Sequence, residues 1–145
     1  MTGITILTLI EALLQLSMIV MVGLYFVFSN TVMGALSQRT DGASTMVEIN
    51  KQILNPTFLV CFAVSGLAGL YFFLFHCGFL SLAGIIFFTG TTLVTALFNV
   101  PLNNQLLDAT GESLGTVWQK YLDKWVFWNH VRTASAVLSS LLLFI

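Results

Sequence analysis

The chain has 145 residues, of which 57% are hydrophobic and only 8% are charged, and its formal net charge is −1. A soluble domain carries roughly 25% charged residues, so this composition predicts an integral membrane protein. The few basic residues form no stripe or tail, which argues against nucleic acid as a partner.

Four stretches are apolar and long enough to cross a bilayer, which takes about 20 residues. They cover about residues 4–28, 56–76, 79–98 and 126–145. The first stretch has no positively charged leader and is longer than the roughly 7 to 15 apolar residues of a signal peptide, so we interpret it as a retained span. The predicted fold is all-α: an integral membrane four-helix bundle that forms a single transmembrane domain over residues 1–145.

Two long connections, residues 29–55 and 99–125, must lie on the same side of a protein with four spans, and a short hairpin around His76 lies on the other side. Four of the five Lys and Arg residues lie in these connections: Arg39, Lys51, Lys120 and Lys124. The termini and the hairpin contain none. The positive-inside rule therefore predicts cytoplasmic connections and outer termini, in a plasma (inner) membrane.

The first connection contains a predicted helix in the sequence TMVEINKQIL, residues 45–54. Thr45 and Glu48 have the spacing of a capping box. Apolar residues recur on one face of this helix: Met46, Ile49 and Ile53. Pro56 follows Asn55 and takes the first position of the second span, where its missing N–H costs least. We expect a short amphipathic helix that lies at the cytoplasmic interface or folds back toward the bundle.

The second connection begins with FNVPLNNQ, in which Pro101 is expected to stop or kink the third span. The fourth helix is expected to begin before its apolar part, because one helical face continues from the connection into the membrane. That face carries Trp118, Tyr121, Trp125, Trp128, Asn129, Arg132, Ser135, Ala136 and Ser139. The second span has a stripe of residues suited to close helix packing: Cys61, Ser65, Ala68, Gly69 and Phe72.

Polar residues of these segments are expected to meet at the cytoplasmic end, because membrane helices turn polar side chains toward one another. This predicted polar cluster comprises Ser29, Asn30, Glu48, Asn50, Asn99, Asn103, Asn104, Asn129, His130 and Arg132. Glu11 lies about 27 Å from Ser29 along a helix with a rise of about 1.5 Å per residue. Glu11 therefore belongs near the outer surface and should not share this site.

Arg132 has two interpretations. It either extends its long side chain to the interface, or it anchors the polar cluster by pairing with Glu48 or by binding an anionic group, since a charge inside a membrane by default marks a functional site. His130 is displaced by about 160° around the helix from Arg132. It either reaches the cluster from the flank or is an interfacial histidine bonded to backbone or water.

No tightly held cofactor or metal is expected. The two histidines, His76 and His130, lie on opposite sides of the predicted membrane, and the cysteines lack paired spacing. Glu48 alone is too little for a carboxylate-rich metal site. The sequence also lacks a glycine-rich phosphate loop, a nucleophile elbow and a dinucleotide motif.

Four motifs of the sequence resemble those of the anthrone-oxygenase-like family, a group of small four-span membrane proteins mostly of unknown function. They are YFVFSNTVMGAL, MVEINKQILNP, FNVPLNNQL and WQKYLDKWVFWNHVRTASAVLSSLLL, in the expected order along nearly the whole chain. Some members of that family are cofactor-independent oxygenases that convert polyketide anthrones to anthraquinones. The resemblance implies proton removal from an activated carbon, reaction of the carbanion with O₂ and loss of water.

The resemblance also implies roles for individual residues. His130 would be the base, and Arg132 with Asn99 or Asn103 would stabilise the enolate oxygen. The implied walls of an aromatic pocket are Tyr25, Trp125 and Trp128. The predicted catalytic residues are thus His130 and Arg132, and the predicted substrate-binding residues are Tyr25, Ser29, Asn30, Glu48, Asn50, Asn99, Asn103, Trp125, Trp128 and Asn129.

The main alternative function is a non-catalytic membrane module that binds a lipid, a quinone or a partner helix in the same cytoplasmic-side pocket. A small transporter is disfavoured, because Glu11 and the polar cluster are expected at opposite ends of the helices. The expected partner is a hydrophobic small molecule or lipid, and a homo-oligomer is compatible with either main function.

Overall fold

The computed structural model describes residues 5–145, and this part of the chain contains five helices and no strand. The helices are α1 (Ile6–Ser37), α2 (Gly42–Ile53), α3 (Pro56–Phe75), α4 (Gly78–Asp108) and α5 (Ser113–Leu142). The all-α prediction is confirmed. Residue 4, where the first predicted span begins, lies outside the described residues.

Three helices, α1, α3 and α4, are long and apolar enough to cross a membrane, which indicates a membrane protein. Within residues 5–145, α5 is not among these candidate spans. Its apolar half is interrupted by Asn129, His130 and Arg132, which lower the hydropathy of the stretch predicted as the fourth span. The structure therefore confirms three of the four predicted spans as candidate spans, and it does not confirm the four-span bundle.

The four long helices pack side by side, with α1 and α4 each contacting both α3 and α5. Between them lies a first core, formed by Met18, Met21, Tyr25, Ala68, Phe72, Ala83, Phe87, Ala136 and Leu143. The small-residue stripe predicted on α3 is buried except for Cys61, which is half-buried. A Cβ atom added to Gly84 of α4 would overlap the backbone of α3 at Gly69 and Phe73. The two backbones thus touch directly, as in other membrane-helix pairs with small interface residues.

The two long connections are mostly helical. Helix α1 continues past Ser29 to Ser37, and α4 continues past Asn99 to Asp108. The prediction that the last helix begins early is confirmed, because α5 starts at Ser113. Only short links remain between helices.

Pro101 does not stop α4, although a stop was one of its two predicted outcomes. A π-helical segment, Thr95–Asn99, precedes it, and the α-helix then continues over Val100–Asp108 with the proline in its first turn. A proline ring normally clashes with the carbonyl four residues earlier and removes one hydrogen bond. The π-helical segment replaces the i→i+4 hydrogen-bond register by i→i+5 directly before the proline.

The helix predicted in the first connection is confirmed, but its start differs. Helix α2 begins at Gly42, so Thr45 lies inside it, and no side chain caps its first turn. The predicted capping box is therefore wrong. At its start the helix packs closely against α1, because a Cβ atom at Gly42 would overlap the carbonyl oxygen of Leu36.

Helix α2 folds back onto the ends of α1 and α4, which decides between its two predicted positions. It contributes to a second core, formed by Met33, Leu36, Ala43, Met46, Leu102, Leu106, Trp118, Tyr121 and Trp125. The next helix starts as predicted: the Asn55 side chain accepts a hydrogen bond from the Phe58 amide at 3.0 Å, and Pro56 lies in the first turn of α3. The chain thus returns from α2 into α3 within two residues.

Candidate functional site

A cavity of about 170 Å³ lies between the first and second cores, and all five helices contribute to its wall. A dry cavity of about 150 Å³ encloses one benzene ring in another protein. This cavity is therefore large enough for one aromatic ring, and a larger ring system would have to extend through its open side. Exposed wall residues mark that opening: Lys51, Leu54, Val100, Asn104 and Leu107.

The wall is largely apolar, with a group of polar residues on one part of it. The apolar residues are Leu24, Phe28, Met46, Val47, Ile53, Leu54, Phe58, Phe62, Val100, Leu107 and Trp125. The polar residues are Tyr25, Asn50, Lys51, Thr95, Asn99, Asn103, Asn104, Asn129 and Arg132. The two charged residues of the wall, Lys51 and Arg132, are both cations. Among the described residues, the wall contains no Asp, Glu or His.

Arg132 is the charged group inside the cavity, and it is only 6% exposed. Its guanidinium donates hydrogen bonds from Nη1 to Thr95 Oγ1 at 3.1 Å and from Nη2 to Asn129 Oδ1 at 2.5 Å. The guanidinium carbon also lies 4.7 Å from the centre of the Tyr25 ring and 5.2 Å from that of Trp125. These cation–π contacts and hydrogen bonds orient the guanidinium, but all of them come from neutral groups.

No carboxylate neutralises Arg132 within residues 5–145, where the ion pairs are Arg39–Asp41 and Glu11–His76. The predicted pair with Glu48 is not formed. Glu48 is exposed and accepts a hydrogen bond from Gln52 at 3.0 Å. A buried charge without a counter-charge is costly, so the cavity favours an anionic group beside Arg132.

Asn129 holds Arg132 in place. It is fully buried, and its Nδ2 donates to the Tyr25 carbonyl at 3.1 Å and to Ser29 Oγ at 2.7 Å. The Ser29 hydroxyl is in turn 2.7 Å from Thr133 Oγ1. Because these bonds fix the amide, its oxygen points at the guanidinium of Arg132.

The other asparagines form a second polar group nearer the opening. The Tyr121 hydroxyl donates to Asn103 Oδ1 at 2.8 Å and accepts from Asn50 Nδ2 at 3.5 Å. Asn99 is 1% exposed and donates to the Trp125 carbonyl at 3.3 Å.

Among the residues that the structure describes, three buried polar atoms in the wall have no hydrogen-bond partner: Asn99 Oδ1, Trp125 Nε1 and Arg132 Nε. Buried polar atoms are nearly always bonded, so this concentration in one cavity points to a ligand. Trp125 and Arg132 offer donors, and Asn99 offers an acceptor. A matching ligand therefore carries at least one hydrogen-bond acceptor.

The structure brings together seven of the predicted site residues. They line the cavity: Tyr25, Asn50, Asn99, Asn103, Trp125, Asn129 and Arg132. Ser29 reaches it only through Asn129. Asn30 is exposed, and Trp128 stacks on Phe98 at a ring separation of 3.8 Å, outside the cavity.

His130 does not line the cavity, and its side chain is exposed. The buried face of α5 carries Trp125, Asn129 and Arg132, and the helical turn directs His130 away from it. Of its two predicted positions, the one outside the cluster is therefore found. This location corrects the expectation that His130 acts on a ligand beside Arg132.

The predicted site left out several wall residues. Thr95, which binds Arg132 directly, lies one helical turn before Asn99, and this spacing predicts that both face inward from the third span, although Thr95 was not assigned to the site. Lys51 and the aromatic residues Phe58 and Phe62 had no comparable signal, because they come from elements whose relative positions are set by packing.

The comparison with protein-family models matches residues 44–142 to the anthrone oxygenase family. This region covers nearly all of α2 and the whole of α3, α4 and α5, while α1 with Tyr25 and Ser29 precedes it. No curated protein and no solved structure matches. The match extends over well over half of the chain and includes the regions of the last three of the four motifs, and on this basis the chain belongs to the anthrone oxygenase family.

Proposed function

We propose that the protein is a membrane-embedded, cofactor-independent oxygenase that oxidises a hydrophobic aromatic substrate of the anthrone type in this cavity. The observation that carries the proposal is the buried, unneutralised guanidinium of Arg132 in an aromatic cavity of an anthrone oxygenase family member. The family supplies the reaction type, and the cavity supplies groups suited to it.

The proposed reaction converts a CH₂ group between two aromatic rings into a carbonyl. The carbon loses a proton, and the resulting carbanion is delocalised as an enolate onto the opposite ring oxygen. The carbanion transfers electrons to O₂ and forms a carbon-bound hydroperoxide after taking up a proton. Loss of water then leaves the quinone, so that one substrate and one O₂ give one quinone and one water without an external reductant.

Arg132 is the proposed catalytic residue, because it stabilises the enolate oxygen on which the negative charge develops. A positive charge within about 4–6 Å of an acid lowers its pKa by about 1–3 units, which favours the carbanion. The unpartnered Nε1 of Trp125 is a second donor in the same wall. The apolar residues hold the rings and exclude water, which strengthens these electrostatic interactions.

The test measures O₂ consumption and quinone absorbance with purified protein in detergent and an anthrone, above the rate of spontaneous oxidation with heat-inactivated protein. We expect Arg132→Met to lose about 100- to 1,000-fold in rate, the usual effect of removing an oxyanion donor. Lys124→Met is the matched control, because it removes one positive charge from the exposed side of the same helix. Equal rates in the two variants would refute the role of Arg132. A wild-type rate equal to the background, with a lipid or quinone copurifying, would favour the non-catalytic alternative.

We also infer that α1, α3, α4 and α5 all cross the plasma (inner) membrane, with α2 and the cavity on the cytoplasmic side. Support comes from the packing of α5 against α1 and α4 and from the basic residues near the cavity end. Cys77, exposed in the link between α3 and α4, tests this topology in a Cys61→Ser background. A membrane-impermeant maleimide should label it on intact cells, whereas labelling only after lysis would reverse the orientation.

A further inference from the structure

We propose that the cavity is a receptor for aromatic oxyanions: it binds a phenol or enol in its deprotonated form, and the proton leaves to water at the opening instead of to a base inside the cavity. The identity of the ring system rests on the proposed function, whereas the anion preference rests on the wall alone. The ligand class is an aromatic ring with an ionised oxygen attached.

The first support is the charge of the wall. Arg132 is buried beside Thr95 and Asn129, and Lys51 lies at the opening. No acidic residue faces them among the wall residues of the described chain. A neutral ligand would leave the guanidinium without a counter-charge, while an oxyanion would neutralise it in a site of low dielectric.

The second support is the set of free donors. Within residues 5–145, the Nε of Arg132 and the Nε1 of Trp125 have no hydrogen-bond partner, although both are buried. Arg132 lies against the Trp125 ring at 5.2 Å, so the two donors belong to neighbouring side chains. Charged acceptors form the stronger hydrogen bonds with such donors, which favours the ionised oxygen over its protonated form.

The third support is the lack of a base. His130 is exposed outside the cavity, and Glu48 is exposed and bonded to Gln52. The wall residues of the described chain include no Asp, Glu or His that could accept the proton. When the ligand O–H or C–H bond breaks, the electron pair stays on the ligand, and the proton passes to water at the open side.

The experiment uses 4-nitrophenol, whose anion is yellow, and 4-nitroanisole, its methyl ether, which cannot ionise. Both are one-ring compounds of the size that the cavity encloses. We expect the pKa of bound 4-nitrophenol to fall by about 1–3 units, and 4-nitroanisole to bind at least about tenfold more weakly at a pH where the phenol is ionised. An unchanged or raised pKa of the bound phenol, or equal binding of the two compounds, would overturn the proposal.

Variants assign the effect to one cation. Arg132→Met should abolish the pKa shift, Lys51→Met should reduce it only in part, and Lys124→Met should leave it unchanged in the same detergent. If Arg132→Met does not fold, the comparison of the two compounds on wild-type protein still decides the proposal. Retention of the full shift in a folded Arg132→Met protein would overturn the assignment.

This assay is independent of turnover, since 4-nitrophenol has no CH₂ group to oxidise. A lowered pKa without O₂ consumption on any anthrone would remove the proposed oxygenase function and keep the anion site. O₂ consumption on an anthrone together with an unshifted pKa of bound 4-nitrophenol would remove the anion site and keep the proposed oxygenase function.

Discussion

Replacing Asn129 with leucine tests whether this residue positions the guanidinium of Arg132. The leucine side chain has a similar size and removes all three hydrogen bonds of the buried amide: those to the Tyr25 carbonyl and Ser29, and the one from Arg132. Ser29 keeps a partner in Thr133. The main consequence is therefore a guanidinium that loses its shortest contact and can rotate.

The magnitude follows from these bonds. A hydrogen bond to a charged group contributes about 1.5–3 kcal/mol and each of the two neutral ones about 0.5–1.5 kcal/mol, so Asn129→Leu should lower the free energy of unfolding by about 2.5–6 kcal/mol. Arg132→Met removes the donor of the same charged hydrogen bond, the one between Arg132 and Asn129. In a double-mutant cycle the two effects should fall short of additivity by about 1.5–3 kcal/mol.

The assay is unfolding in detergent for wild type, both single variants and the double variant. Additivity within about 0.5 kcal/mol would refute the coupling of Asn129 to Arg132. A structural role alone would not change the nitrophenol pKa, so that measurement is made in parallel. Asn129→Asp gives the sharpest comparison: its carboxylate would neutralise Arg132, and the pKa shift should vanish although the arginine is still present.

Three further predictions concern other parts of the molecule. Gly84→Ala should lower the free energy of unfolding by about 1–3 kcal/mol or more because its Cβ would overlap the α3 backbone. The control Gly23→Ala, whose Cβ would have nothing within 4 Å, should raise it by about 0.5–1 kcal/mol. Equal free energies of unfolding in the two variants would contradict the close contact between α3 and α4. His130→Ala should retain O₂ consumption because the ring is exposed outside the cavity, and a loss above tenfold in folded protein would restore it as a base. Glu11→Gln weakens the hydrogen bonds from Tyr71 at 2.9 Å and His76 at 3.1 Å and should lower the free energy of unfolding by about 1 kcal/mol. The rate of O₂ consumption should not change, since Glu11 lies far from the cavity. A slower rate would mean that the helix ends near Glu11 are coupled to the cavity.

Local pattern was enough to predict much of the fold. Composition predicted helices and a membrane protein, and the 3.6-residue period placed Trp125, Asn129 and Arg132 on one face of α5, which is the buried face observed. The helix in the first connection, the start of α3 at Pro56 and the close-packed stripe on α3 are also confirmed. Each of these features depends on residues within a few turns of one another, so that the sequence contains the whole cause.

Tertiary structure decided which polar residues meet. Glu48 and His130 lie near the cavity residues in the sequence, yet both are exposed, because the packing of α2 and α5 turns them outward. Asn129 instead binds Ser29, which lies 100 positions earlier in the chain. Helix α4 continues past Pro101 after a π-helical segment that the sequence did not predict.

The sequence by itself thus determined the class of the protein, the faces of its helices and its family, because these follow from composition, period and motif. Only the tertiary structure decided that Arg132 has no carboxylate partner within residues 5–145 and lies in a cavity of about 170 Å³ whose wall holds three unpartnered polar atoms, its own Nε among them. The physical reason is that a helical face is set by local spacing, whereas the neighbours of a side chain depend on how helices distant in sequence approach one another.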